Sequence, residues 1–148
     1  MDNKEKQILV TAISLVLIFG CYALYVYNKY IAMNFAILND FKFWGIAFLI
    51  LIPVTIVAQI IIHIIFAIIN KMVTNEDMVT LRDERDKLIE LKAIQISHWI
   101  FTLGFLLAMG SQAIGMPHYS MFITLIVSGF ISGIISEIAK IYFYRKGF

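Results

Sequence analysis

Charge is scarce in this chain. Only 15% of its 148 residues are charged and 61% are hydrophobic, whereas a soluble domain carries about a quarter charged and about half apolar residues. That supply is too small to clothe an ordinary water-facing surface, which argues against a soluble globular fold. The single cysteine, Cys21, rules out an internal disulfide and gives no inference about redox compartment. No Gly-rich phosphate loop, Cys-x-x-Cys pair or His-Glu-x-x-His helix occurs, and the serines and histidines do not suggest a nucleophilic triad. Basic residues are interleaved with acids rather than gathered into a polybasic run, so direct nucleic-acid binding is not expected.

What the chain does have is long apolar runs, each near the length that crosses a hydrocarbon core of about 30 Å. They predict an all-α membrane protein, one domain over residues 1–148. Its four spans fall at about 8–27, 43–70, 96–115 and 119–143. Lys4 and Lys6 precede the first run, and Ile18-Phe19-Gly20-Cys21 loosely resembles a lipoprotein cleavage box. Phe19 is bulky where a small residue is usual, however, and the apolar run continues through Val26, so it is read as a retained helix. The second run is longer than the bilayer requires and should tilt or protrude, with Pro53 a candidate kink. Gly115-Met116-Pro117-His118 reads as a tight turn that makes spans three and four a hairpin. Residues 28–42 carry Phe35, Ile37, Leu38 and Phe41 and suit the membrane interface.

Charge distribution supplies the orientation. Four spans put the N-terminus, the central segment and the C-terminus on one side, with Lys4, Lys6, Lys71, Arg82, Arg85, Lys87, Lys92, Lys140, Arg145 and Lys146. The other side has Lys29 and Lys42. Ten against two, by the positive-inside rule, predicts both termini in the cytoplasm. Tyr25, Tyr27, Tyr30, Phe43, Trp44, Trp99, Tyr119, Tyr142 and Tyr144 cluster near span ends as an aromatic belt.

Between spans two and three the pattern predicts a charged cytoplasmic helix over about 75–95. Thr74 or Asn75 is its cap, Glu76 and Asp77 sit near the positive end of its dipole, and Asp83–Lys87 and Arg82–Asp86 are pairs at helical spacing. No glycine or proline interrupts residues 88–103, so this helix can run directly into span three. Asp83, Asp86 and Glu90, three and four apart, share one face. Together with Glu84 and Arg85 they form a candidate contact face. Such a stripe suits a solvated surface held by local ion pairs, contact with a basic partner or second subunit, or a divalent cation.

The string Asp83-Glu84-Arg85-Asp86 resembles the Asp-Glu-Arg-Asp segment of an uncharacterised family of small prokaryotic four-span membrane proteins, in which an acidic–basic helix separates two transmembrane hairpins. Members often accompany small helix-turn-helix repressors or transport genes. The resemblance implies an accessory or regulatory role in a prokaryotic cytoplasmic membrane, with a cytoplasmic regulator or a membrane transport partner, and assigns no catalytic residue.

A second constellation lies within the spans. Thr55, Gln59 and His63 form a stripe at four-residue spacing on span two, and span four carries Glu137 and Lys140. His63 stands eight residues before Lys71 and Glu137 eight before Arg145, about 12 Å inside those charges. His98 and Ser14 fall at similar depth. Ionisable groups at such depth usually face a bundle interior or a wet cavity, so Ser14, Gln59, His63, His98, Glu137 and Lys140 are expected to form a polar layer, with His63 and Glu137 approaching each other. The layer suits a structural hydrogen-bonded lock, a proton or ion pathway, or a zinc-type ion held by two histidines and a carboxylate. Lys140 weakens the last two, because it can neutralise Glu137 on the same helix.

Small residues form a third pattern: Gly104 and Ala108 on span three, and Ser128, Gly129, Ser132, Gly133 and Ser136 on span four. Such spacing lets helix backbones approach closely, within the hairpin or across a homodimer. Three functional classes remain at this stage. The first is a non-enzymatic membrane accessory or regulatory protein. The second is a small ion- or proton-coupled transporter or channel, and the third is a membrane-embedded lipid-modifying enzyme. No cofactor is expected, and membrane lipid is a partner under all three.

Overall fold

The computed structural model describes residues 2–77 and 82–147. Four long helices account for most of them: α1 (Asn3–Val26), α2 (Phe41–Thr74), α3 (Glu84–Ala113) and α4 (His118–Lys146). Each is long and apolar enough to cross a membrane. α1 continues through one π-helical turn, Tyr27–Ile31, and a 3-10 turn at Phe35–Asn39 leads into α2. Asp40 caps α2, accepting from the Lys42 N–H at 3.0 Å. α2 runs unbroken past Pro53 for 34 residues, about 51 Å at helical rise, well beyond the hydrocarbon thickness.

The charged helix begins later than its sequence suggests. Asn75 ends α2 in the left-handed conformation, φ 55°, and its N–H bonds to the Lys71 carbonyl. Glu76 and Asp77 follow outside any helix, and residues 78–81 lie outside the described residues. The helix starts at Glu84, where Asp83 and Asp86 form a reciprocal capping box that satisfies two orphan N–H groups. From there the charged segment is the first third of α3 and passes into the apolar stretch without a break.

Packing follows the distribution of small residues. α3 and α4 form the tightest pair, α1 packs on α4, and α2 packs on α1. Between α3 and α4, Gly104, Ala108, Ser132 and Ser136 are buried, and a Cβ added at Gly104 would collide with the Ser128 side chain. The hydroxyls of Ser128 and Ser132 donate to carbonyls of their own helix, Thr124 and Gly129. The serines therefore contribute small volume rather than interhelical bonds. Gly133 faces α1, where an added Cβ would make ordinary contact with Leu15. Gly129 borders open space.

At the end remote from the termini, rings tie α2 to α4. Trp44 stacks on Phe122 with centroids 5.5 Å apart, Phe48 meets Phe122 edge-on, and Phe41 lies against His118 and Phe122. The Trp44 indole N–H donates to the Leu38 carbonyl at 2.9 Å, and the Tyr22 hydroxyl donates to the Ala47 carbonyl at 2.7 Å. The connecting segment is thus fastened to the helices it joins.

The close approach at Gly104 makes a specific forecast. Gly104→Ala should destabilise the protein in detergent by about 1–3 kcal/mol, the usual cost of overpacking. Ser128→Gly in the same chain should recover much of that loss. A thermal-melt double-mutant cycle checks it: additive effects would mean that the two positions do not oppose each other.

Candidate functional site

Two polar assemblies bear on the expected site residues, one inside the membrane-spanning region and one at the charged end. The first is a seam between α1 and α2. On α2, Thr55, Gln59, His63, Asn70 and Thr74 recur at intervals of four or seven and so share one face. α1 answers with Thr11 and Ser14. Thr11 Oγ1 lies 3.0 Å from His63 Nε2 and 3.0 Å from its own helix's Gln7 carbonyl. Ser14 Oγ lies 3.0 Å from Gln59 Oε1 and 2.8 Å from the Thr11 carbonyl. Thr55 and Thr74 spend their hydroxyls on the Leu51 and Asn70 carbonyls of their own helix.

Proton counting shows that the seam is short of partners. The Thr11 hydroxyl has one hydrogen. If it goes to the Gln7 carbonyl, His63 must present Nε2–H; if it goes to His63, the ring proton moves to Nδ1. Under either tautomer Nδ1 is buried and unpartnered, as are Gln59 Nε2 and Asn70 Nδ2. Asn70 is only 6% exposed. Buried polar atoms without partners are rare because each costs free energy. Three on one face of one helix set this seam apart from the serine-lined α3–α4 contact.

The expected layer is divided among these contacts. Ser14 and Gln59 come together. His63 bonds to Thr11, and Glu137 is held 2.7 Å from Lys140 one turn along α4. The Gly133–Leu15 contact and the Arg145–Glu5 ion pair at 3.3 Å bracket Glu137 on α4 and Thr11 on α1. Interpolation between them sets Glu137 level with Thr11, and so with His63. Among the described residues no hydrogen bond joins His63 to Glu137, because α1 is the helix against which both α2 and α4 pack. His98 lies on the exposed face of α3. Thr11 and Asn70 escaped the sequence reading. Gln7, Thr11 and Ser14 at spacings of four and three were the signal for the first, and the seven-residue step from His63 for the second.

The second assembly centres on Asp86, whose side chain is 11% exposed. One carboxylate oxygen accepts from Lys4 Nζ at 2.6 Å and from the Asp83 N–H at 3.1 Å, and the other accepts from the Tyr144 hydroxyl at 2.7 Å. One carboxylate therefore fastens α1, α3 and α4. Arg85 adds a bond to the Tyr144 carbonyl at 3.1 Å and lies over the Tyr144 ring. The pairs expected at Asp83–Lys87 and Arg82–Asp86 give way to other partners. Asp83 caps α3 through the Glu84 N–H, and Arg82 reaches Glu90 at 2.9 Å. Glu84 is exposed. The carboxylate stripe is thus used by three separate tasks, and no cluster of three His, Cys, Asp or Glu side chains with metal-holding geometry occurs among the described residues.

No protein-family model matches the chain, and neither curated proteins nor solved structures yield a match.

Asp86 sits in the charged start of α3, outside its apolar stretch. Burial works to raise its pKa, but the bonds from Lys4, Tyr144 and the Asp83 backbone outweigh burial and lower it to about 2. A carboxyl depressed in the folded state contributes stability above its unfolded pKa and loses it as pH falls through the folded value. Thermal melts from pH 5 to pH 2 should therefore show destabilisation across that window that Asp86→Asn lacks. At pH 7 the variant should be weaker by about 1.5–3 kcal/mol, the range for a hydrogen bond to a charged group. Parallel pH profiles for parent and variant would remove Asp86 from this role.

Proposed function

We propose that the protein is a non-enzymatic membrane accessory or regulatory subunit that works through helix packing in the bilayer and through the charged start of α3. The observation that carries this reading is the division of the membrane-depth polar groups into separate local pairs: Thr11 with His63, Ser14 with Gln59, and Glu137 with Lys140. A lock between α1 and α2 needs only the first two pairs, and Glu137 is neutralised within α4, whereas a conducting or catalytic site needs groups that converge. Charge asymmetry supports a cytoplasmic location for both termini, in the inner membrane of a prokaryote. On that side Glu84, Arg85 and Glu90 face a cytoplasmic regulator, a transport protein or a second copy of the chain. Glu84 is the cleanest probe of that contact, since Asp83 is spent on capping and Asp86 on holding three helices.

A second reading, a small ion- or proton-coupled transporter, rests on the three unpartnered buried atoms of Gln59, His63 and Asn70, which water or a transported ion would satisfy. One paired experiment separates the two. Under the accessory reading, Glu84→Lys inserts into membranes like the parent but loses its higher-mass complex on native gels, and vesicles holding the parent leak protons no faster than empty ones. Proton flux through the parent that His63→Ala abolishes would overturn the accessory reading in favour of transport.

A further inference from the structure

Between α2 and the α3–α4 hairpin the helices flank an open-sided crevice of about 520 Å³. All four contribute to its walls: Leu15 from α1, Leu51 and Thr55 from α2, Phe101 from α3, and Gly129 and Phe130 from α4. We infer that this crevice is a binding site for a single lipid acyl chain, entering sideways from the bilayer. The inference is independent of the functional reading above.

Chemistry and size choose the occupant. The one polar side chain among those wall residues, Thr55, spends its hydroxyl hydrogen on the Leu51 carbonyl of its own helix at 2.8 Å, so the walls offer water a single acceptor oxygen and no donor. Apolar cavities of this kind stay dry. A transmembrane helix is too large: at about 10 Å across and 1.5 Å per residue it fills roughly 120 Å³ per residue, so the crevice holds about one turn. The volume falls in the range of small-molecule pockets, roughly 300–1,000 Å³. Leaving the space empty would forfeit dispersion contacts along every wall. A flexible alkyl chain is the component that a bilayer supplies in this size and polarity. On α2 the lining runs from Phe48 to Thr55, in the first half of the helix, so the chain comes from the leaflet at the sparsely charged end. Gly129 borders the slot, and a Cβ built there meets nothing within 4 Å, so a long side chain at 129 has room to enter it.

Trp44 reports on the site. It is 6% exposed and packs edge-on against Phe48, a wall residue, so bulk lipid reaches it poorly. In a Trp99→Phe background it is the sole tryptophan. In nanodiscs of phospholipid brominated along its acyl chains, Trp44 emission should be quenched, and Gly129→Leu should relieve at least half of that quenching. Thr55→Leu, which fills the slot from the opposite wall, should do the same, and circular dichroism confirms that each variant keeps its helices. Trp99, 62% exposed, should be quenched equally in all backgrounds when Trp44→Phe isolates it. Absent quenching of Trp44, or quenching that neither filling variant changes, would overturn the inference. Quenching in discs holding one copy that vanishes in discs holding two would also overturn it, by assigning the slot to a second copy of the chain.

Discussion

A polar side chain placed in hydrocarbon has no water to fall back on, so it must find its partner within the protein. α1 meets part of that constraint. Its Thr11 and Ser14 receive His63 and Gln59 from α2, while Leu15 and Phe19 meet Gly133 and Phe130 of α4. α2 is apolar and exposed over most of its surface. Lipid tails are as apolar as its isoleucines, so hydrophobicity alone does not hold it to its neighbours. The polar seam, the Tyr22–Ala47 bond and the ring stack at Trp44 do so instead.

The two ends of the molecule are built on opposite principles. At the sparsely charged end, aromatic rings from α2 and α4 interlock. At the charged end, one carboxylate binds three helices, and Asp86 does so while also completing the capping box that starts α3. The charged segment is therefore rigidly continuous with a membrane-spanning helix, so a partner touching its exposed residues would pull directly on the α3–α4 hairpin. α2, joined along one seam, stands away from that hairpin at mid-depth, and the crevice is the geometric consequence.

Much of this was legible in the sequence because it depends on composition and short spacings. The four spans follow from apolar run length. The turn around Gly115, φ 82°, and the small-residue contact at Gly104, Ala108, Ser132 and Ser136 follow from spacing within one hairpin. What was not legible depends on which helices become neighbours. Nothing local to Asp86 favours Lys4, 82 residues away, over Arg82 four residues away. Equal depth for His63 and Glu137 could be counted along the chain, but that α1 would be the helix both pack against could not. The start of α3 was ambiguous for a different reason: Thr74, Asn75 and Asp83 are all good caps, and the left-handed turn at Asn75 decides among them. Gly129 and Ser128 are adjacent in sequence, yet one borders a crevice and the other closes a contact, since neighbouring positions on a helix point some 100° apart.

The central claim is that α1 pairs with the polar face of α2 and keeps His63 apart from Glu137. Cysteine cross-linking in native membranes tests it most directly, in a Cys21→Ser background that removes the one natural thiol. Thr11→Cys with His63→Cys should be bridged rapidly by a short bis-methanethiosulfonate reagent that spans the space of the lost imidazole, whereas His63→Cys with Glu137→Cys should not. Rapid bridging of positions 63 and 137, with none between 11 and 63, would contradict the account.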